Sequence, residues 1–344
     1  MNNRICKART IFFGGFRIRI VLLGWAMVGA VLYAPTASAQ EVVDRLPNLR
    51  VLPASDVALV GTKLRFSTTS WNNGSGPLEL VAGPVDTGSG KQQVYQRVYL
   101  SDGGHFDHFA GWVQWHQAHN HFHFDDYALY TLQPVNAPGG SIRTSSKTTF
   151  CIMDTDKIDG SLPGAPVQSV YNVCGNQIQG MSVGWGDTYG YWLAGQDVDF
   201  TGNPYGMYQL KIEVDPKKLL LEANENDNVS CVLLDIQDSG ARVLDNSGSC
   251  NLVRDITPKL ARRGETLTVE ITGYGFTPSS TVTFEGGTGP RPVATVISVE
   301  DTSTVDTITA DVTVPYKKQL GRNPLWDVKV STGGILPDAF TVTK

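Results

Sequence analysis

Short runs of β-branched and aromatic residues alternate along this chain with clusters of Gly, Asn, Asp and Pro. Runs of this length, separated by turn-forming residues, are typical of the strands of a β-sandwich or barrel. Helical periodicity is almost absent, and one short helix is predicted at 216–223, with Pro216 in its first turn. The pattern predicts an all-β protein, with clear strands at 63–69, 94–100, 127–132 and 207–214.

A second unit is predicted to begin near residue 252. From there, alternating strand-like runs continue to residue 342 with regular turn signals. About 90 residues of this kind suit an immunoglobulin-like sandwich. The expected organisation is therefore a leader at 1–39, a larger β-sandwich domain at 40–250 and an Ig-like β-sandwich at 251–344.

The first 39 residues have the pattern of a secretory signal peptide. Five basic residues precede any acidic one, an apolar run follows at 20–33, and Ala37-Ser38-Ala39 forms an A-x-A cleavage site. The apolar run is short for a membrane span, which needs about 20 residues. We expect a secreted or periplasmic protein that is not membrane-bound once the leader has been cleaved.

Charge argues against one class of partner. The chain has 28 basic and 33 acidic residues, and cleavage of the five leader cations lowers its formal net charge from −5 to −10. A nucleic-acid-binding surface needs a basic patch or stripe, so no nucleic acid is expected as a partner. A negative surface weakly favours cationic partners.

Four cysteines follow the leader, namely Cys151, Cys174, Cys231 and Cys250. An even number in an exported chain indicates two disulfides, and four cysteines allow three pairings. Pairing of sequence neighbours is the simplest, so Cys151–Cys174 and Cys231–Cys250 are predicted. No C-x-x-C motif occurs, which disfavours a zinc ribbon or a thioredoxin-like site.

All six histidines lie between residues 105 and 123, and His119, His121 and His123 alternate. Alternate side chains of a strand point to the same face. Three imidazoles on one face form a site for copper, zinc, iron or nickel. Zinc on three histidines would keep an open position for a hydrolytic water, whereas copper would imply redox chemistry.

The other three histidines have weaker assignments. His116 has three open roles: an additional metal ligand, a general base, or a residue that orients a ligand. His105 and His108 fall in a Gly- and Asp-rich segment and are expected to be solvated loop residues.

Residues 112–123, which read WVQWHQAHNHFH, resemble the lysyl oxidase family. That family carries the pattern W-x-W-H-x-x-H-x-H-x-H, and its last three histidines bind Cu(II). The resemblance implies that His119, His121 and His123 are copper ligands. It covers roughly residues 46–250 and is strongest at 112–231.

The same resemblance implies a cofactor built from the chain itself, lysine tyrosylquinone. The family's precursor lysine lies three residues before an F-C pair, as Lys147 does in SKTTFC at 146–151. Its precursor tyrosine lies in a D-T-Y-G segment, as Tyr189 does at 187–190. Burial would lower the pKa of a lysine and make its amine nucleophilic, and a quinone supplies an electron sink.

A calcium site is also implied by the resemblance. The family has an acidic, Asn-rich turn that binds calcium together with a segment near the start of the domain. Oxygen ligands of this kind suit calcium. An ordinary Asx-rich turn is the alternative. The corresponding positions are Asn48, Leu49, Glu222, Asn224, Asp227 and Asn228.

Two further features refine the comparison. Animal members have additional cysteines where this chain has Ala118 and Trp185, so a bacterial-type member with fewer disulfides is expected. In the second unit, TGYGF at 272–276 resembles the IPT/TIG family of Ig-like modules.

The resemblance implies a secreted copper amine oxidase. Such an enzyme would oxidise primary amines, including peptidyl lysine in proteins or peptides, to aldehydes with O2, releasing ammonia and H2O2. His116, Asp125 and Asp126 are the alternatives for the general base. The competing hypotheses are a non-catalytic copper-binding or matrix-adhesion protein and a three-histidine zinc hydrolase.

Overall fold

β-Strands form the regular secondary structure of the described residues. The computed structural model describes residues 42–116, 121–300, 305–316, 321–332 and 334–344, and these contain no helix. The all-β prediction is therefore confirmed. The expected leader at 1–39 lies outside the described residues. Within the described ranges, no helix is long and apolar enough to cross a membrane.

In the part of the chain that the structure describes, seventeen strands precede residue 250. They are β1 (Asp44–Arg45), β2 (Leu49–Val51), β3 (Ser55–Val60), β4 (Lys63–Asn72), β5 (Leu78–Val85), β6 (Gln92–Leu100), β7 (His105–His116), β8 (His121–Phe124), β9 (Ala128–Asn136), β10 (Arg143–Thr144), β11 (Asp156–Lys157), β12 (Ile178–Met181), β13 (Trp185–Tyr189), β14 (Asp197–Asp199), β15 (Gly206–Val214), β16 (Val229–Gln237) and β17 (Gly240–Gly248).

Eight more strands follow among the described residues beyond position 250. They are β18 (Leu252–Thr257), β19 (Leu260–Arg262), β20 (Thr266–Tyr274), β21 (Val282–Glu285), β22 (Val293–Glu300), β23 (Asp306–Thr313), β24 (Leu325–Val330) and β25 (Ile335–Thr343).

Three sheets are formed by the first seventeen strands. One has the order β12-β5-β6-β7-β8 with β1 on β6, and another has the order β10-β9-β15-β16-β17. The third has the order β11-β13-β4-β14, with β2 and β3 also paired to β4. The later strands form two sheets, ordered β18-β20-β23-β22 and β19-β25-β24-β21.

Alternation of buried side chains explains why these sheets pack. Along β15, Tyr208, Leu210, Ile212 and Val214 are buried, so one face of the strand is fully covered. They join a hydrophobic cluster that includes Phe66, Tyr130 and Phe150. A second cluster, around Ile271, Phe284, Val312 and Phe340, fills the space between the two later sheets. Val42–Lys344 form one compact unit, so the division at residue 250 stays a prediction.

Two local predictions are wrong. The segment 216–223 is a turn and not a helix, because Lys218 has a φ of +52° and the Asp215 carboxylate accepts the backbone N–H groups of Leu219 and Leu220. The second is the assignment of His105 and His108 to a loop. Both lie in β7, which begins at His105 and pairs with β6.

The long connection from β10 to β13 is held in place by a buried carboxylate and a disulfide. Asp154 accepts hydrogen bonds from the backbone N–H groups of Val170, Tyr171 and Ser182 and from the Ser182 hydroxyl. The predicted disulfides Cys151–Cys174 and Cys231–Cys250 are both confirmed. This connection therefore has a defined path although it contains little regular structure.

Removal of either disulfide should destabilise the fold. The bridges close loops with sequence separations of 23 and 19 residues. Loop closure of this size contributes about 3 kcal/mol, so C151S/C174S and C231S/C250S should each lose a similar free energy of unfolding. Denaturant unfolding of the oxidised wild type and the two double variants measures this. A loss of under about 1 kcal/mol for either pair would contradict the expectation.

Candidate functional site

The strand β8 carries two of the predicted metal-binding histidines on one face. The Nε2 atoms of His121 and His123 are 2.8 Å apart, and the Nδ1 atom of His123 lies 3.1 Å from the Thr149 hydroxyl. His123 is buried, with 1% of its surface exposed. Metal–imidazole bonds are about 2.0 Å long, so two ligands of one metal ion can approach this closely. A histidine that binds a metal through one ring nitrogen typically forms a hydrogen bond to a protein oxygen through the other.

The remaining histidines of the cluster are only partly described. His119 lies outside the described residues, and so does the side chain of His116. His116 is the last residue of β7, and its backbone pairs in register with that of His121. The alternation predicted from sequence thus holds for His121 and His123, whose rings converge.

The segment 147–151 lies directly beside the histidine strand. Phe124 and Phe150 exchange two backbone hydrogen bonds of 2.7 and 3.0 Å. The Cys151–Cys174 disulfide adds a second connection, because the Phe122 N–H donates to the Cys174 carbonyl. Strand β8 therefore has a fixed position next to Thr149 and Cys151.

Tyr189, at the end of β13, is anchored to this same segment. Its hydroxyl accepts a hydrogen bond from the Cys151 N–H at 3.0 Å and donates one to the Cys151 carbonyl at 2.9 Å. The ring makes an edge contact with Phe150 at a centroid separation of 4.9 Å. Burial raises the pKa of Tyr189 well above its ordinary value, so the phenol stays protonated.

Lys147 lies over the tyrosine ring. Its Nζ atom is 4.4 Å from the ring centroid of Tyr189 and 4.6 Å from that of Phe150. Burial lowers the pKa of Lys147 to about 8, although the nearby Asp187 opposes this shift. The two residues that the family resemblance paired are thus in contact, and the lowered pKa makes the amine easier to deprotonate than that of an exposed lysine.

Asp187 is a part of this site to which the sequence pattern assigned no role. It lies two residues before Tyr189 on β13, and only 2% of its surface is exposed. The Met153 N–H donates to its carboxylate, but its Oδ2 atom has no hydrogen-bond partner among the described residues. Burial raises the pKa of Asp187 well above its ordinary value, and Lys147 opposes the rise. The D-T-Y-G motif includes Asp187, but the motif did not indicate that the Asp187 side chain is buried.

The loop after Tyr189 covers the lysine and tyrosine pair. Gln196 is buried, and its amide donates to the Thr68 hydroxyl and the Tyr189 carbonyl. Gly195 lies against the Lys147 side chain, and Trp192 projects outward with 69% of its surface exposed. This loop therefore lies between the half-buried pair and solvent.

The two aspartates considered as bases are both engaged in ion pairs. The Asp125 carboxylate lies 2.5 Å from Lys91 Nζ, and the Asp126 carboxylate lies 2.8 Å from Lys217 Nζ. Both carboxylates are therefore already engaged by lysine ammonium groups.

The predicted calcium ligands are largely brought together. Glu222 accepts hydrogen bonds from the Leu49 N–H and the Asn228 amide, each at 2.5 Å. The Asn48 amide donates to the Asp227 carboxylate at 3.2 Å. Oδ1 atoms of Asn48, Asp227 and Asn228 are buried without a hydrogen-bond partner among the described residues.

Asn224 differs from the other predicted calcium ligands. Its side chain is exposed and accepts the Asn226 N–H within the turn. The structure adds two carboxylates that the sequence pattern missed, because the ligand oxygens of Asp215, Glu222 and Glu225 all lie within 4.8 Å of one another. Burial raises the pKa of Glu222 to about 8, and the neighbouring acids contribute. Crowded, desolvated carboxylates of this kind can be stabilised by a divalent cation.

Gly195 should be required for the position of Lys147. Its φ is +77°, and an added Cβ would meet side-chain carbons of Lys147 at 2.9 and 3.0 Å. Gly202 is a matched control, since its φ is +78° but an added Cβ would meet only Arg143 at 3.7 Å. Both alanine variants should pay about 1 kcal/mol for the left-handed backbone, and G195A should lose about 1 kcal/mol more.

Thermal unfolding and the rate of acylation of Lys147 test this prediction. Displacement of the lysine by the new methyl group should increase its reactivity in G195A but not in G202A. Equal stability and equal Lys147 reactivity of the two variants would contradict the expectation.

The region that contains this site is similar in sequence to known proteins. Residues 106–245 match the family model described as "Lysyl oxidase". Lysyl oxidase homolog 1 of Homo sapiens is 31% identical over 142 residues, which are 41% of this chain and 23% of that protein. Protein-lysine 6-oxidase of Homo sapiens is 32% identical over 131 residues, which are 37% of this chain and 28% of that protein.

A third relative, lysyl oxidase homolog 4 of Bos taurus, is 32% identical over 123 residues, which are 35% of this chain and 15% of that protein. The chain spans less than a third of the length of these curated relatives. The matched region contains the converging histidines, Lys147 and Tyr189. Over residues 106–245, therefore, this chain is similar in sequence to the lysyl oxidase family.

Proposed function

We propose that this protein is a secreted, copper-dependent amine oxidase whose quinone cofactor forms from Lys147 and Tyr189. The observation that carries the proposal is the contact between Lys147 Nζ and the Tyr189 ring, 4.4 Å from its centroid. A lysine directly over a tyrosine ring, in the region that matches the lysyl oxidase model, is the arrangement that a lysine tyrosylquinone requires.

The donor set suits copper. His121 and His123 offer imidazole nitrogens that converge to 2.8 Å, and His119 is the proposed third ligand. Imidazole is a common ligand of Cu(II). When bound, the copper ion and the quinone supply the redox chemistry that protein side chains lack.

The described residues prepare the lysine and tyrosine for this chemistry. Cys151 holds the tyrosine hydroxyl through its backbone, which fixes the ring beneath Lys147. Burial favours the neutral, nucleophilic form of the lysine amine. Phe150 packs against both residues, since its ring makes an edge contact with Tyr189 and its centroid lies 4.6 Å from Lys147 Nζ.

The proposed reaction converts a primary amine, O2 and water into an aldehyde, ammonia and H2O2. Peptidyl lysine in a protein or peptide is the proposed substrate, because two relatives carry lysyl oxidase names and a third is named protein-lysine 6-oxidase. The excess of acidic over basic residues favours a cationic substrate at long range. His116 is proposed to support the site as a base or by orienting a copper ligand.

The quinone is tested by visible absorption before and after addition of phenylhydrazine. Wild type purified with copper should show a quinone band that shifts to a hydrazone band. Lys147→Ala and Tyr189→Phe should both lose it, because each removes one precursor of the cofactor. Lys157→Ala is the matched control, since that lysine also lies over an aromatic ring, 5.7 Å from the Trp185 centroid.

Metal analysis of the same samples separates the possible outcomes. A colourless wild type that contains copper and does not react with phenylhydrazine would contradict the amine oxidase and favour a copper-binding protein. A preparation that takes up zinc in preference to copper would favour the hydrolase. Retention of the band in Lys147→Ala would contradict the proposed precursor.

Calcium is proposed to bind at Asn48, Leu49, Glu222, Asp227 and Asn228, with Asn224 completing the turn. The buried oxygens without partners support this proposal. Asp215 and Glu225 bring additional negative charge to the same position.

Added calcium should raise the thermal unfolding temperature. A ligand at 100 times its dissociation constant stabilises a protein by about 2.7 kcal/mol. Glu222→Gln should remove most of this effect, and Glu213→Gln, which alters a half-buried acid on β15, should keep it. An unfolding temperature that does not respond to calcium in the wild type would contradict the site.

A further inference from the structure

An exposed aromatic turn, formed by residues 190–193, follows the proposed cofactor tyrosine and has no role in the function proposed above. Tyr191, Trp192 and Leu193 are all exposed in it. We propose that this aromatic turn binds the polypeptide on either side of the substrate lysine, and that Trp192 makes the main contact. The inference rests on the proposed function, because it assigns a binding surface to the peptidyl substrate of the same site.

Trp192 packs against the backbone directly beside Tyr189. A Cβ added to Gly190, the residue after the tyrosine, would overlap ring carbons of Trp192. The indole therefore covers Gly190, while 69% of the Trp192 surface stays exposed. Its ring also makes an edge contact with that of Tyr191, at a centroid separation of 5.4 Å. The two rings thus form an exposed surface that begins next to the proposed cofactor tyrosine.

Hydrogen bonds hold the aromatic turn in one conformation. The Arg65 guanidinium donates to the carbonyls of Tyr191 and Leu193, each at 2.7 Å. The Ser67 hydroxyl accepts the Tyr191 N–H at 2.9 Å. The Leu193 N–H donates to the Gly190 carbonyl and closes the turn. Because rigid aromatic side chains lose little conformational entropy when a partner binds, this turn is prepared for binding.

The loop that carries Trp192 also borders the lysine and tyrosine pair. Gly195 lies against the Lys147 side chain, and the Gln196 amide donates to the Tyr189 carbonyl at 3.2 Å. Lys147 and Tyr189 are both half-buried. A lysine side chain is short, so a peptide whose lysine reaches Tyr189 brings its adjoining residues to the surface formed by this loop.

The chemistry of the aromatic turn fits a polypeptide better than an additional ammonium group. The Arg65 guanidinium lies beside the turn, and its positive charge disfavours a second cation there. Indole and phenol rings instead offer a large amphipathic surface to peptide groups and apolar side chains. A small amine has neither of these groups, so only the residues that flank a substrate lysine gain from Trp192.

A second copy of this chain fits the aromatic turn less well. Its three exposed side chains offer on the order of 300 Å² of surface. A stable dimer buries about 800 Å² on each partner. The smaller area suits a transient contact with a substrate that leaves after each reaction.

The first test measures binding without catalysis. The capped peptide Gly-Leu-Ala-Lys-Ala-Leu-Gly carries a fluorescent label and is titrated with the copper-free full chain, and its anisotropy gives the dissociation constant. Trp192→Ala should bind the peptide about tenfold more weakly, because truncation of a Trp anchor typically costs at least that much affinity. Trp192→Phe, which keeps a ring at this position, should recover most of the affinity.

Tyr316→Ala is the matched control and should bind the peptide as the wild type does. That side chain is 72% exposed but lies beyond residue 250, beside Arg263. Equal affinity of Trp192→Ala and the wild type would overturn the proposal, as would a wild type that does not bind the peptide.

A measurement on the wild type covers the case in which Trp192→Ala does not fold. Oxidative footprinting with peptide mass spectrometry reports the solvent access of single aromatic side chains. Saturating peptide should reduce the modification of Trp192 and leave that of Tyr316 unchanged. An unprotected Trp192 would overturn the proposal. Protection that rises with protein concentration in the absence of peptide would also overturn it, because a second copy would then be the occupant.

Kinetics of the copper-loaded protein separate this inference from the proposed function. Trp192→Ala should lower the ratio of kcat/KM for the peptide to kcat/KM for n-butylamine about tenfold. An unchanged ratio would overturn the proposal, because the variant would then affect both amines alike. A wild type that oxidises neither amine would contradict the proposed function, whereas peptide affinity and Trp192 protection would still decide whether the aromatic turn binds a polypeptide.

Discussion

Both polar groups of the Cys151 backbone are occupied by the Tyr189 hydroxyl, and the proposed site depends on this interaction. It joins β13 to the segment that carries Lys147. The same segment pairs with β8 through Phe150, so the histidine strand is connected to the tyrosine through a few covalent and hydrogen-bonded steps. The Cys151–Cys174 disulfide and the Asp154 hydrogen bonds restrict the long loop on which this arrangement relies.

Burial gives the site its chemical character. It keeps the Tyr189 phenol protonated, lowers the pKa of Lys147 and raises that of Asp187. In water each of these groups would have its ordinary charge, and the lysine would be a poor nucleophile at neutral pH. A hydrophobic core that includes polar residues at defined positions can therefore provide reactive groups, at a cost in stability that the surrounding packing offsets.

Much of this could be predicted from the sequence. Alternation of apolar residues predicted strands such as β4, β6 and β15, since the period of two directly reflects strand geometry. Where prediction failed, local signals were overridden. Pro216 suggested a helix, but the Asp215 carboxylate captures two backbone N–H groups and Lys218 adopts a left-handed conformation. His105 lies among turn-forming residues, yet pairing with β6 places it in a strand.

The sequence alone determined the fold class, the expectation of two disulfides and the residue types of the site, because these depend on periodicity, count and local motif. Which of the three cysteine pairings forms was decided by the tertiary structure. The sequence could not show which carboxylates are buried. Asp125 and Asp187 both stand beside motif residues, and each is buried with one carboxylate oxygen that has no hydrogen-bond partner among the described residues. Tertiary packing brings Lys91 within 2.5 Å of the other Asp125 oxygen. The approach of Lys147 to Tyr189, 42 positions apart, was likewise decided by the tertiary structure, since contacts between distant segments arise only when strands from different parts of the chain pack together.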